Sequence, residues 1–361
     1  MRAPTRFLQD ILRQPMEMHR TVEFLTGPGQ DALERASALI RSAEHIFLTG
    51  IGASWNAALS AGALFDLVAR PTYMREAGEL LHFGAIPRGA AIVTISRTGR
   101  SIEIVQLLAK AKASGASIIG ITNTADSPLA RESTVALVIP TGLDYAISVN
   151  AYSTLLIAAG ALAASTGDAG FASVAPSLMH AIGEAALRLE SWQEQLEQSN
   201  WLTSAGHYCF LARGTSLGTC YEAQLLWEEG VKVPATAMST SSFRHGPQEI
   251  VGDGMRFALW IDQKQMREQD LAVAQDLREL GASVMLVGEE LFSSDGALVC
   301  QLPASPPHWQ FVIDVLPVQL AAERLARISG VDCDTFRICS YVVEDEHGLL
   351  RKRAEASPNA D

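Results

Sequence analysis

Positive charge is scarce in this chain. Its 28 Lys and Arg residues face 40 Asp and Glu, a formal net charge of −12, the reverse of the basic footprint that binding to a phosphate backbone requires. Nucleic acid is not an expected partner. Cysteine is sparse too: Cys209, Cys220, Cys300, Cys333 and Cys339 are an odd number with no C-x-x-C pair, which suggests neither a disulfide framework nor a zinc ribbon. That usage fits a reducing cytoplasm, and no metal is expected. No stretch reaches the roughly 20 uninterrupted apolar residues of a membrane span. The opening MRAPTRFLQDILRQPMEMHRT is broken by charge every few residues where a signal peptide would carry an apolar core, so no membrane partner is expected either. Gly (28) and Pro (15) stay near average usage beside 48% hydrophobic residues, which excludes disordered, collagen-like and coiled-coil chains.

What is present is α/β patterning over 361 residues, a length that suggests two domains. Apolar runs at 45–50, 91–96, 117–122 and 136–140 alternate with the helical patterns 101–113 and 151–164. The runs are continuous rather than alternating, the mark of strands buried on both faces in a parallel sheet. A low-glycine, helix-rich stretch (175–199) separates them from a second series at 207–213, 256–262, 283–288 and 297–302. IFLTGIGAS (46–54) and YCFLARGTS (208–216) are both strand, glycine turn, serine, helix, which suggests a duplicated domain rather than a short-period repeat. Beyond Glu344 the sequence is polar and aperiodic, a tail expected to fray.

Chemistry concentrates at the strand ends. In GIGASWNA (50–57) two glycines close a strand and Ser54 opens a helix, a place where free amides suit an anion. Trp55 stands where a dinucleotide fingerprint needs its third glycine, and no G-K-[ST] follows; no cofactor is expected, and a Rossmann oxidoreductase is disfavoured. SRTGRS (96–101) sets Ser96, Thr98 and Ser101 around Gly99 at the next strand end, with Arg97 and Arg100 as optional charge. In the second half, a helix from Thr219 to about Glu229 carries Glu222 and Glu229 seven residues apart on one face, a pattern also common for solvated acids on a surface helix. His245 follows in a Gly-Pro loop. A carboxylate and an imidazole are the pair needed to move a proton between adjacent sugar carbons and to open a hemiacetal ring. The other histidines sit in helix, strand-start or loop patterns without evident partners.

These residues resemble the tandem SIS (sugar isomerase) domain family, of the type found in the isomerase half of glucosamine-6-phosphate synthase and in stand-alone deaminase and fructosamine deglycase relatives. The likeness covers nearly the whole chain. It runs through Arg13-Gln14-Pro15, the loop Gly52 to Ala57, Ala77-Gly78-Glu79-Leu80, the phosphate loop Ser96 to Ser101, the near-literal GITN-x-x-x-S-x-LAR segment Gly120 to Arg131, Asp144 to Asn150, the helix Glu222 to Glu229 and His245-Gly246-Pro247. It implies two flavodoxin-like parallel-sheet domains in tandem with helices on both faces: an arm (1–24), a first, sugar-phosphate-binding domain (25–165), a helical linker (166–200), a second domain with the catalytic Glu and His (201–344) and a flexible tail (345–361). By the same resemblance Gly52, Ala53, Ser54, Ser96, Arg97, Thr98, Ser101 and Ser148 hold a phosphorylated sugar, Glu229 shuttles a proton between C1 and C2, and His245 assists ring opening from a neighbouring subunit, which implies a homodimer. Two family lysines are replaced, by Leu226 and by Tyr341. Schiff-base ring opening as in the synthase is therefore not expected unless Lys232 substitutes, the one of the five lysines (Lys110, Lys112, Lys232, Lys264, Lys352) that lies a helical step beyond Glu229.

The expected function is a phosphosugar aldose-ketose isomerase acting on an amino-sugar phosphate, closest to a glucosamine-6-phosphate deaminase that releases ammonia. No glutaminase segment with a leading cysteine precedes the first domain, so glutamine is not the expected nitrogen donor. Fructosamine-phosphate deglycation and plain phosphosugar isomerisation use the same groups and remain open. A non-catalytic sugar-phosphate-binding regulator is the competing class; it would keep the cradle and dispense with the base, and a DNA-binding regulator would need a helix-turn-helix in front of the first domain.

Overall fold

All eight apolar runs are strands of parallel sheets in the computed structural model, which describes residues 4–292, 296–346 and 348–349. The chain opens with helices α1 (Arg6–Leu25) and α2 (Gln30–Ser42), then alternates β1 (Ile46–Thr49), α3 (Ala53–Leu67), β2 (Tyr73–Met74), α4 (Ala77–His82), β3 (Ala91–Ile95), α5 (Ile102–Ser114), β4 (Ser117–Thr122), α6 (Pro128–Glu132) and β5 (Val135–Val138). Helices α7 (Asn150–Thr166), α8 (Gly170–Ala186) and α9 (Leu189–Gln198) lead into β6 (His207–Ala212), α10 (Leu217–Leu226), β7 (Ala235–Ser239), α11 (Thr240–Phe243), β8 (Met255–Trp260), α12 (Arg267–Glu279), β9 (Ser283–Glu289), β10 (Leu298–Leu302) and α13 (Leu316–Ile328). The sheets are ordered β2-β1-β3-β4-β5 and β10-β9-β8-β6-β7. Counted within its own half, each reads 2-1-3-4-5, the flavodoxin-like order, whose ligand crevice opens where the order reverses, between the first and third strands.

Two strands had no signal in the sequence. Both β2 and β7 are edge strands, and β7 is only partly buried, so neither needs a continuous apolar run. Central strands do: β3 is buried throughout and pairs Val93 with Leu48 on one side and with Ile119 on the other. Most of the expected tail, residues 347 and 350–361, lies outside the described residues.

Helix α7 carries apolar residues all round and is accordingly buried on nearly every face, packed by α1, α2, α3 and α8. Its N-terminus is held by Asp144, whose carboxylate accepts from the Asn150 and Ala151 amides, each at 2.9 Å. Gln14 of α1, fully buried, binds Ser153 of α7 and Gln319 of α13, so one amide side chain ties three helices together. The halves meet where α10 crosses α3. A Cβ at Gly218 would lie 2.3 Å from the Asn56 carbonyl oxygen, so only glycine permits this approach.

Candidate active site

The crevice of the first sheet is built by two strand-to-helix turns. After β1 the chain turns through Gly52 at φ 55° into α3, and after β3 through Gly99 at φ 59° into α5. A side chain at Gly99 would put its Cβ 2.5 Å from Ser127 Oγ. Neither helix has a side-chain cap; the Ser54 amide of α3 goes to Ile51 O and the Ile102 amide of α5 to Val343 O, while the other first-turn N–H groups have no intrahelical partner and add to the positive ends of the two helix dipoles. The turn is braced from within, since Ser96 Oγ accepts from the Gly99 amide at 3.1 Å and Thr98 Oγ1 from the Arg100 amide at 3.3 Å. The GITN-x-x-x-S-x-LAR segment supports it from behind. Ser127 caps α6, and Asn123 donates to Ile139 O and Thr141 Oγ1.

Between the turns lies a cavity of about 160 Å³, lined by Gly52, Ala53, Ser54, Ser96, Arg97, Thr98, Ser101, Ser148 and, from the second half, Glu229. The structure thus gathers into one cavity every expected site residue except His245. That histidine is exposed on the turn after α11 and does not line the cavity of its own chain. Arg100 points away and pairs with Asp126 at 3.1 Å; Ala77 and Leu80 are buried core of α4. His82 and His19 do have partners, Glu346 at 3.0 Å and Glu23 at 3.5 Å, which the sequence pattern did not suggest.

The helix with the two glutamates is no surface helix. Glu222 is 1% exposed and accepts from Asn56 Nδ2 at 2.9 Å across the interface of the halves; burial pushes its carboxyl up to about 8. Glu229 belongs to a turn of π-helix, Trp227–Val231, that interrupts the helix after Leu226. Such bulges recur at functional sites because the extra residue re-aims a side chain. Trp227 anchors the turn: it is fully buried, with ring centroids 4.8 Å from Phe210 and 5.3 Å from Tyr208. Burial raises the Glu229 carboxyl above its usual range, while Arg97 and then Lys232 oppose that shift. Lys232 itself donates to the backbone carbonyls of Glu229 and Thr335 and faces a neighbouring cavity of about 440 Å³ that it shares with Glu229.

One set of cavity residues carried almost no signal in the sequence. After α13 an irregular strap crosses the crevice, adding Phe336, Cys339, Ser340, Tyr341, Val342 and Val343 to the wall. Only the alignment of Tyr341 with a family lysine had pointed to it.

Residues 39–165 match the model of the SIS domain. This part of the chain is a SIS domain. The isomerizing glutamine–fructose-6-phosphate aminotransferase of Francisella tularensis is 25% identical over 348 residues, covering 91% of this chain and 56% of that protein; the chain spans little more than half the length of the curated relatives it matches. The solved C-terminal domain of glucosamine-fructose-6-phosphate aminotransferase from Francisella tularensis superimposes with a TM-score of 0.83 at 24% identity, covering 92% of this chain and 98% of that one. Glucosamine-6-phosphate deaminase from Thermotoga maritima gives 0.76 at 23% identity, covering 94% and 99%. These likenesses establish the fold, with the SIS domain followed by a second sheet of the same order. Among the described residues no helix is long and apolar enough to cross a membrane, and all five cysteines are free thiols.

Proposed function

We propose that the chain is a phosphosugar isomerase acting on an amino-sugar phosphate and releasing ammonia, in the manner of a glucosamine-6-phosphate deaminase. The observation that carries this reading is the presence of Glu229 in the same cavity as two helix N-termini without side-chain caps and the hydroxyls of Ser54, Thr98 and Ser101. A phosphate dianion suits the helix ends, and the rest of the sugar then extends toward the carboxylate. With the ring open, Glu229 takes the C2 proton and returns it to C1. The C2 imine left behind is hydrolysed by water to a ketose phosphate and ammonia. A regulator would have no use for a half-buried carboxylate facing its ligand. The deciding assay offers the protein a panel of phosphorylated amino sugars and fructosamines and measures ammonia and ketose phosphate; ketose phosphate from an unaminated aldose alone would favour plain isomerisation.

Thr98→Ala and Ser101→Ala should each weaken sugar-phosphate binding by about 1.5–3 kcal/mol, the worth of a hydrogen bond to a charged group, and should hardly affect an unphosphorylated sugar. Equal losses for both sugars by calorimetry would remove the cradle from consideration.

Ring opening by His245 requires a second subunit, because the imidazole is exposed and away from the cavity of its own chain. Exposed apolar residues near the site support a homodimer: Leu143 and Tyr145 are 85% and 59% exposed, and so in part are Leu12 and Met16 (44% and 46%) on α1, which holds the 143–145 segment through Arg13 to Leu143 O and the Tyr145 amide to Asp10. Mixed under subunit exchange, Glu229→Gln and His245→Ala proteins should then regain activity, because one hybrid site holds both intact groups. Exchange without regained activity would place the histidine's action, if any, within its own chain.

A further inference from the structure

Among the described residues Arg97 is the one cation in the wall of the cradle cavity, and its simplest use would be to meet the phosphate. The contacts of its guanidinium argue otherwise. One terminal nitrogen donates to Ser148 Oγ at 2.7 Å and toward Ala146 O at 3.5 Å, and the other to Tyr341 O at 3.1 Å. One face is covered by the Tyr341 ring, with the guanidinium carbon 4.0 Å from the ring centroid. The planar fork is spent on two segments of protein, the 146–148 loop and the strap at Tyr341, a bridging geometry that arginine supplies and lysine does not.

We propose that Arg97 is a positioning residue rather than a phosphate ligand: it latches the C-terminal strap across the crevice through Tyr341 and fixes the 146–148 loop through Ser148, so that the cavity is closed on the side facing Glu229.

The strap needs such a latch. Residues 329–346 form no helix or strand, and their docking depends on scattered bonds. Asp334 accepts from the Arg6 and Phe7 amides at 2.8 Å each, Thr335 O from Lys232, Val343 O from the Ile102 amide at 3.0 Å, and Glu346 meets His82. Between Thr335 and Val343, the stretch that lines the cavity, Arg97 supplies both a carbonyl donor and a ring partner. Removing it frees the middle of the strap while leaving its ends tied. The same guanidinium faces Glu229, whose carboxyl it holds down against burial. Lys232, Glu228, Glu222 and Cys339 are the other titratable groups acting on that carboxyl or feeling its charge.

The test uses the whole protein and three variants: Arg97→Ala, Arg97→Lys and Tyr341→Ala. Inorganic phosphate is titrated by calorimetry, amide exchange is followed in peptides covering 335–343 and residue 102, and turnover is measured on glucosamine 6-phosphate. Arg97→Ala should keep phosphate affinity within about threefold and speed exchange of the strap peptide at least about tenfold. Turnover should fall more steeply than KM changes, the sign of lost positioning. Tyr341→Ala should loosen the same peptide, and the double variant should add little, because the two residues form one contact. Arg97→Lys keeps the charge and loses the bridge, so it should retain the pH profile of Glu229 without restoring strap protection. A loss of phosphate affinity of about tenfold or more with unchanged strap exchange would make Arg97 a phosphate ligand and overturn the proposal. Only the turnover arm rests on the isomerase reading. If the wild type turns over no sugar phosphate while the exchange and phosphate arms come out as expected, that reading fails and the latch stands. Should Arg97→Ala not fold, Arg97→Lys and Tyr341→Ala decide the matter by the same exchange and phosphate measurements.

Discussion

Glu229→Gln should lower turnover on the amino-sugar phosphate by at least about two orders of magnitude, the usual worth of a positioned general acid–base group. Glutamine has the same shape, so phosphate-driven binding should survive nearly intact and the loss should fall on kcat. The environment of Glu229 sharpens the expectation. A base shuttling one proton between two carbons needs a pKa nearer neutrality than an ordinary carboxylate offers, and burial moves Glu229 in that direction while Arg97 and Lys232 oppose the shift. The acid limb of kcat/KM in the wild type should therefore lie above the ordinary carboxylate range of about 4.3. A variant keeping more than about a tenth of wild-type turnover would exceed what loss of a general base permits; the mechanism would be abandoned and the sugar-phosphate regulator would return.

The parts of this molecule that the sequence made legible are those whose physics is local. A strand buried on both faces must be apolar throughout, which is why β1, β3 and β4 and their counterparts β6, β8 and β9 can be read directly from composition. The turns at Gly52 and Gly99 are legible because their positive φ demands glycine and because hydroxyls gather at strand ends. The strap is the opposite case. Tyr341 and Val343 engage Arg97 and Ile102 through backbone carbonyls, which every residue carries, so no side-chain pattern marks them. The two glutamates show a subtler limit. Seven residues of regular α-helix would place Glu222 and Glu229 almost in line, but the π-turn at Trp227–Val231 adds a residue to the repeat. Glu222 ends in the seam against Asn56 and Glu229 ends in the cavity. Periodicity also could not tell that the helix is packed on both sides, by α3 and by β6 and β7.

That difference in burial makes Glu222 a strong test of the fold. Its carboxyl is pushed from an ordinary value of 4.5 up to about 8, chiefly by desolvation, against the opposing hydrogen bond from Asn56. Between those two values the folded protein holds a proton that the unfolded chain has released. Stability attributable to Glu222 is therefore fully present below about pH 4.5 and is lost as pH rises toward 8, at up to about 1.4 kcal/mol per pH unit. Asp314, buried under hydrogen bonds from Ser216 and Thr219 and raised to about 7, contributes a slope of the same sign that ends sooner. Glu222→Gln removes the titrating group and keeps an amide oxygen to accept from Asn56. Urea denaturation from pH 5 to 9 should find the variant close to wild type at the acid end and about 2–4 kcal/mol more stable at pH 8 and above, its residual slope ending near the Asp314 value. Glu222→Ala should instead lose stability at every pH, because it leaves the Asn56 amide unpaired beside a cavity. Turnover is the internal control: Glu222→Gln should cost far less than Glu229→Gln, since only Glu229 reaches the cavity. Parallel stability curves for wild type and Glu222→Gln would mean that Glu222 is ionised in the folded protein, and the seam between the two halves would then have to hold a counter-charge or water that Asn56 alone does not supply.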